Sequence, residues 1–307
     1  MTRQEYIEKQ YRADRYLRHL TLEDLTQRTI DVLANYHVLN DEGKIGLRPI
    51  NEEGENWMTL FIHIMTEMDL RKASFPDGFL KDAPIVKPTW PEIPKPVKAI
   101  KEISLNGDYL VKYGEQRYLR PLLEKGILRI APASSYSDPS LNLARKDSEL
   151  EVSILLDPSE TTVERVNEET LEPERAIEVI GNLTTTTSCS SDYYVYCLAM
   201  EYNARFFDDF EADCCLIIHQ PIKFVERLYK EVSNKLPGWT GRATGVTYYD
   251  PLRIERMPSS VFFQKHFRYA YQREYRIVLL PPKPIKQPEP LFLELGSLEE
   301  FCDLVCL

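Results

Sequence analysis

What this chain of 307 residues lacks narrows it first. There is no long uninterrupted apolar run, so no membrane span is expected. The opening stretch MTRQEYIEKQYRADRYLRHL is charged throughout, so no basic-then-apolar secretory leader is expected, and a cytoplasmic protein is. The cysteines, Cys189, Cys197, Cys214, Cys215, Cys302 and Cys306, include no Cys-x-x-Cys pair. Cys214 and Cys215 would point to opposite faces of a strand. Reduced, mostly buried thiols are therefore expected, rather than a metal site or a disulfide framework. There is no glycine-rich phosphate loop of Rossmann or Walker form, no His-Glu-x-x-His and no Gly-x-Ser-x-Gly elbow. The chemistries those motifs serve lose their usual signal.

What is present fits a globular protein: 43% hydrophobic and 28% charged residues. The net charge of −10 is unevenly spread. From Lys112 to Lys146 there are seven Lys/Arg against three Asp/Glu, and from Phe262 to Lys286 six against one. Between them, Asp147 to Ile180 carries eleven acids against two bases. Two basic segments could build a basic cleft with an acidic neighbour. The plain reading of the acidic stretch is a solvated helical face plus loop.

Residues 1–97 read as a helical layer. Thr21-Leu-Glu-Asp24 opens a capped helix to about Asn35, because the threonine oxygen can accept orphan N–H groups and acids suit the first turn. A second helix is expected from about Glu55 to Arg71, with Trp57, Phe61, Ile64, Met65 and Met68 on one face as core or partner interface, and His63 on the surface. The prolines of DAPIVKPTWPEIPKPVK, from Asp82 to Lys98, predict an extended connector and a domain boundary, with Trp90 as an anchor. Residues 98–307 form the second unit. It opens with a strand Tyr109–Tyr113, a helix Glu115–Lys125 stopped by Gly126, a strand Ile127–Ala133 and the polar loop SSYSDPSLN. His219 reads as a strand-end histidine. Cys302 and Cys306 lie one helical turn apart in a C-terminal amphipathic stretch that core packing explains.

The second half of Val261 to Pro282, VFFQKHFRYAYQREYRIVLLPP, is rich in aromatic and branched residues and reads as a strand ended by prolines. Gln272, Glu274 and Arg276 would share one of its faces, Arg273, Tyr275 and Ile277 the other. On its own the stretch reads as an exposed edge strand.

YLVKYGEQRYLRPLLEKGILRIAPASSYSDP resembles the opening unit of toxin-type ADP-ribosyltransferases, and Gln272-Arg-Glu274 resembles their Q/E-x-E element. Thr184-Thr-Thr-Thr-Ser188-Cys-Ser190-Ser191 is similar to the Ser/Thr strand of some members. More narrowly, the order Lys-Tyr, Tyr-x-Asp-Pro, then Lys265 and Tyr271-Gln-x-Glu-x-Arg276 is similar to an uncharacterised bacterial family found near defence genes. The first strand departs from the superfamily pattern, offering Lys112 and Tyr113 where His or Arg is usual; lysine is a point charge without arginine's planar fork.

The resemblance implies an α+β fold, a mainly antiparallel split sheet behind an N-terminal helical domain. It implies transfer of ADP-ribose from NAD+, without a metal, to a macromolecule in a bacterial toxin–antitoxin or anti-phage setting. Cleaving the nicotinamide–ribose bond develops positive charge on the ribose, which a carboxylate stabilises; Glu274 takes this role and Gln272 positions the acceptor. Lys112, Tyr113, Tyr136, Arg145, Ser188, Ser190 and Arg276 are the candidate NAD+ contacts, the arginines for the diphosphate. The basic segments interleaved with Phe262, Phe263, Phe267, Tyr269 and Tyr271 make nucleic acid the first acceptor and protein the second. The Trp57–Met68 stripe and the acidic segment are candidate surfaces for an antitoxin or chaperone. NAD+ hydrolysis, or an inert module binding nucleic acid or protein on the same scaffold, are the alternatives.

Overall fold

A computed structural model describes residues 1–49, 51–81, 90–103, 105, 107–179, 181–253 and 260–307. The elements run α1 (Arg3–Ala13), α2 (Leu22–Tyr36), β1 (His37–Leu39), β2 (Ile45–Leu47), α3 (Glu52–Arg71), α4 (Pro94–Ile103), β3 (Leu110–Gly114), α5 (Gln116–Lys125) and β4 (Ile127–Pro132). After a 3-10 turn at Ala133–Ser137 come β5 (Glu151–Leu156), β6 (Val163–Val166), β7 (Pro173–Ile177), β8 (Leu183–Ser188), β9 (Tyr194–Ala199), α6 (Phe206–Asp209), β10 (Cys214–Ile218) and α7 (Pro221–Lys235). The chain closes with β11 (Thr240–Gly245), β12 (Thr247–Tyr249), β13 (Gln264–His266), a 3-10 turn at Phe267–Gln272, β14 (Glu274–Leu280), β15 (Leu291–Glu294) and β16 (Cys302–Cys306).

This is a mixed α+β architecture around one antiparallel sheet of order β11-β14-β9-β3-β10-β16. The sheet forks at β9. β3 meets it at Ala199, whereas β4, which also pairs with β15, meets it at Val195 and Tyr194. One face of the sheet buries Leu216, Ile218 and Ile277 against α5 and α7 through Leu119, Leu122, Phe224 and Leu228. The other packs Val111, Tyr113, Cys215 and Ile217 on Trp90, Ile93 and Val97. Among the described residues no helix is long and apolar enough to cross a membrane.

Local expectations hold where local chemistry decides. Thr21 caps α2, its hydroxyl accepting from Asp24 N–H while the Asp24 carboxylate accepts from Thr21 N–H. The strand, helix and strand from Leu110 to Pro132 form as expected, and Gly126 ends α5 at φ 69°, where an added Cβ would meet Gly296 O at 2.3 Å. Trp90 is buried, as an anchor would be.

Other expectations need correction. Residues 82–89 of the proline-rich run lie outside the described residues, but Pro94–Lys98 belongs to α4 rather than to an extended connector. Proline is tolerated there because a first turn leaves its N–H groups unbonded anyway. Among its described residues the acidic stretch contains the strands β5, β6 and β7 and no helix; the β6–β7 hairpin is exposed, its strands paired with each other in a two-stranded sheet. His63 is buried, stacking on Tyr11, and Met65 is the exposed member of the Trp57–Met68 stripe. Trp57, Ile64 and Met68 are core, so that stripe is not a free surface. The C-terminal cysteines sit on the strand β16, and Cys214 forms a disulfide with Cys306 directly across from it, while Cys189, Cys197, Cys215 and Cys302 are free thiols.

Candidate active site

Val261 to Pro282 folds as three pieces, and the strand expected in its second half forms as β14. β13 carries Lys265, a 3-10 turn carries Gln272, and β14 starts at Glu274. Arg273, at φ 42°, turns the chain from one to the next. β14 is an internal strand between β11 and β9, not an exposed edge. Nor is Gln272 a surface amide. Glu274 is 4% exposed, Gln272 3%, Lys265 6% and Arg276 0%.

These side chains meet in one buried charged cluster. Lys265 Nζ donates to Glu274 Oε2 at 2.7 Å and to Gln272 Oε1 at 3.1 Å. Arg276 Nε donates to Glu274 Oε1 at 2.5 Å, its Nη1 to Phe262 O at 3.0 Å and its Nη2 to Glu149 Oε1 at 2.8 Å. Asp147 completes the group, 3.8 Å from Lys265 and 3.9 Å from Arg276. Gln272 Nε2 donates to Ala144 O at 2.7 Å, and Tyr248 OH accepts from Glu274 N–H at 2.8 Å.

Three carboxyl groups thus share two cations in a medium poor in water, so one is hard to ionise. Burial, reinforced by Asp147 and Glu274 and only partly offset by Arg276 and Lys265, pushes Glu149 up to about 7. Burial also raises Glu274, but Arg276 and Lys265 outweigh it and hold this carboxyl well below its usual range. Burial alone would lower Lys265; Glu274, Asp147 and Glu149 reverse that and hold it charged. The pair titrates as a unit, the two cations favouring charge on Glu274 and burial favouring a proton on Glu149.

The structure brings Glu274, Gln272 and Arg276 together and sets half-buried Tyr136 beside them, where burial and the Glu149 and Glu274 charges raise its pKa. The other candidates make no hydrogen bond to these groups, although Lys112 lies near enough to feel the Glu274 charge. Lys112 donates to Cys197 O at 2.8 Å and lies over the Tyr196 ring, filling the fork where β3 and β4 part; burial lowers its pKa. Tyr113 faces the opposite side of the sheet, edge-on to Phe206 and Phe207, with its hydroxyl accepting from Asn203 N–H. Arg145 is exposed and pairs with Glu211 at 3.4 Å. Ser188 lies exposed at the end of β8 opposite Glu151, and Ser190 is exposed two residues later.

Lys265, Asp147 and Glu149 are the members that sequence reasoning left out of the site. Lys265 stood in a quoted motif, and its spacing to Glu274 was the available signal. The two acids were lost in a run of charges, since nothing local marks which acid in such a run folds inward.

Chemically, the cluster presents an ionised carboxylate at the start of a rigid strand, an amide beside it and a second carboxyl able to trade a proton. Both Glu274 oxygens are engaged and Arg276 has no open face. Among the described residues no group of three or more His, Cys, Asp or Glu is arranged to hold a metal ion. The chain matches no known protein family, no curated protein and no solved structure.

Proposed function

We propose that the chain transfers ADP-ribose from NAD+ to a macromolecule, on an ADP-ribosyltransferase-like split sheet, with Glu274 stabilising the developing ribosyl cation and Gln272 orienting the acceptor. One observation carries this reading. Gln272, Glu274 and Arg276, from the close of the resemblance, meet in one buried cluster, and Tyr136, from its opening unit, adjoins it through its backbone carbonyl, which accepts from Asp147 N–H at 3.0 Å. A buried carboxylate kept ionised by two cations costs desolvation energy that apolar packing would avoid, and such groups concentrate at functional sites. The ionised form is the one an oxocarbenium-like transition state needs.

The acceptor argument is narrower than the sequence suggested. Phe267, Tyr269 and Tyr271 are buried, and Arg268 and Arg273 pair with Asp31 and Glu53, so they offer no stacking platform or free basic strip. Exposed Lys146, Lys283 and Lys286 keep nucleic acid the first acceptor to test, with protein second. In a toxin–antitoxin or anti-phage setting, the exposed acidic hairpin β6–β7 is where a neutralising antitoxin or chaperone would dock.

Incubation with labelled NAD+ and a panel of RNA, DNA and protein acceptors tests the reading. Label transfer or nicotinamide release is expected, and Glu274→Gln lowers it by about 100-fold or more. Transfer unaffected by that substitution refutes the assignment of Glu274. A second reading, an inert binding module, is favoured by Lys112, whose ammonium is spent on Cys197 O rather than offered to a cofactor. It gains if the folded protein neither transfers label nor releases nicotinamide.

A further inference from the structure

Glu274 is closed off by its own chain. Between the 3-10 turn at Ala133–Ser137 and β5, the segment Ser137–Glu149 has no strand or α-helix, and its ends are anchored. At one end Ala133 N–H bonds Tyr193 O and Ser134 bonds Asp192; at the other Tyr193 OH bonds Glu149 O. Between the anchors the segment lies across the cluster. Its Ala144 O accepts from Gln272, its Lys146 O accepts from Tyr269 OH, and its Asn142 Nδ2 donates to Asp209 O at 3.0 Å. Only Ala144 and Glu149 within it are buried. Few of its own side chains are buried, and what holds it down is polar: the hydrogen bonds of Asn142, Ala144 and Lys146 and the buried Glu149–Arg276 ion pair.

The chemistry of its grip is specific. Glu149 gives its carboxylate to Arg276 at 2.6 Å and lies 3.9 Å from Lys265, and Asp147 stands within 3.9 Å of both cations. Two carboxyl groups two positions apart in sequence, set on a guanidinium and an ammonium, stand where the oxygens of a diphosphate would meet the same pair. We infer that Ser137–Glu149 is an inhibitory strap, with Asp147 and Glu149 standing on Lys265 and Arg276 in place of a dinucleotide's diphosphate, and that it lifts when that ligand binds. The inference rests on the reading of Glu274 as the reacting carboxylate, and it explains how Arg276 can be a diphosphate contact while fully engaged. Lifting also frees Gln272 from Ala144 O, so opening the site and releasing its amide are one event.

The test uses the full chain, with inorganic pyrophosphate and NAD+ as separate probes. Calorimetric titration is expected to show pyrophosphate binding about tenfold tighter in Asp147→Asn/Glu149→Gln than in the unaltered protein, and weaker in Lys265→Met. Backbone amides of Ser137–Glu149 are expected to exchange faster once pyrophosphate binds. Asn142→Ala loosens the strap outside the cluster and should show the same gain, which keeps the test open if the double variant does not fold. Equal affinity in the loosened variants, slower exchange on binding, or no binding by any folded form overturns the inference. Nicotinamide release without pyrophosphate binding would sink the strap and leave the proposed function standing. Tighter pyrophosphate binding with no nicotinamide release from any variant would do the reverse.

Discussion

Two buried glutamates in this molecule look alike and sit in different charge balances. Glu67, on α3, accepts from Tyr11 OH at 2.6 Å, from Arg15 at 2.9 and 3.1 Å and from Arg71 at 2.7 Å. Glu274 is likewise held between two cations. Around Glu67 there is one acid, and its arginines reach the surface, 39% and 24% exposed. Arg71 also donates to Leu17 O, Arg18 O and Leu20 O, so this network staples α3 to the chain following α1. Around Glu274 there are three acids for two enclosed cations, contributed by a strap, a short strand and the start of β14. The first network is charge-satisfied and needs no ligand; the second carries a surplus carboxyl, and only Asp147, 17% exposed, reaches solvent. An excess that packing did not require is the better mark of a working site.

The contrast can be broken in three ways. The largest effect is expected for Arg276→Met, which leaves Glu149 and Glu274 facing each other without their shared cation. Chemical denaturation should show a loss of about 3–5 kcal/mol; a loss below about 1 kcal/mol would mean that the cluster is hydrated. Glu67→Gln should cost less, about 2 kcal/mol, because the amide keeps an acceptor for each arginine and the arginines can turn to water. It should leave any NAD+ chemistry unchanged, and a loss of activity equal to that of Glu274→Gln would end the distinction.

The smallest and most diagnostic effect is in the pH dependence. Burial raises Glu67, but bonds from Arg15, Tyr11 and Arg71 outweigh it, so its folded pKa lies below the ordinary 4.5. Its contribution is full above that value and fades as pH falls through it. Glu149 has the opposite sign. Its folded pKa of about 7 exceeds the ordinary 4.5, so the stability tied to its proton is full below 4.5 and is lost as pH rises to about 7. Urea unfolding at about pH 5 and about pH 8 should therefore show the unaltered protein gaining on Glu149→Gln by about 2 kcal/mol at the lower pH. A difference independent of pH would remove Glu149 as the titrating member.

Much of the scaffold was legible because it rests on neighbours in sequence. Thr21 and Asp24 cap each other across three residues, and Gly126 is needed wherever a helix must end in the left-handed region. The site was legible in part: Gln272, Glu274 and Arg276 sit close in sequence and stayed together, although Arg273 breaks the strand that was to align them. Lys112 and Tyr113 illustrate the limit. Adjacent strand residues point to opposite faces, so at most one could reach the cluster, and the fork at β9 claimed the lysine. The exposed edge expected for β14 failed because strand order depends on pairing with β9 and β11, which no property of β14 specifies.

The sequence by itself determined the helix boundaries that caps and glycine enforce, the strand–helix–strand unit from Leu110 to Pro132 and the presence of a carboxylate, an amide and an arginine at the start of β14. These follow from dihedral preferences and local hydrogen bonds. Only the tertiary structure decided that this trio is buried, that Lys265 sits between amide and carboxylate, and that Asp147 and Glu149 close over it. The reason is electrostatic: in a run of like charges, which acid folds inward is set by where its counter-ion stands, and here the counter-ions lie more than a hundred residues away in the chain.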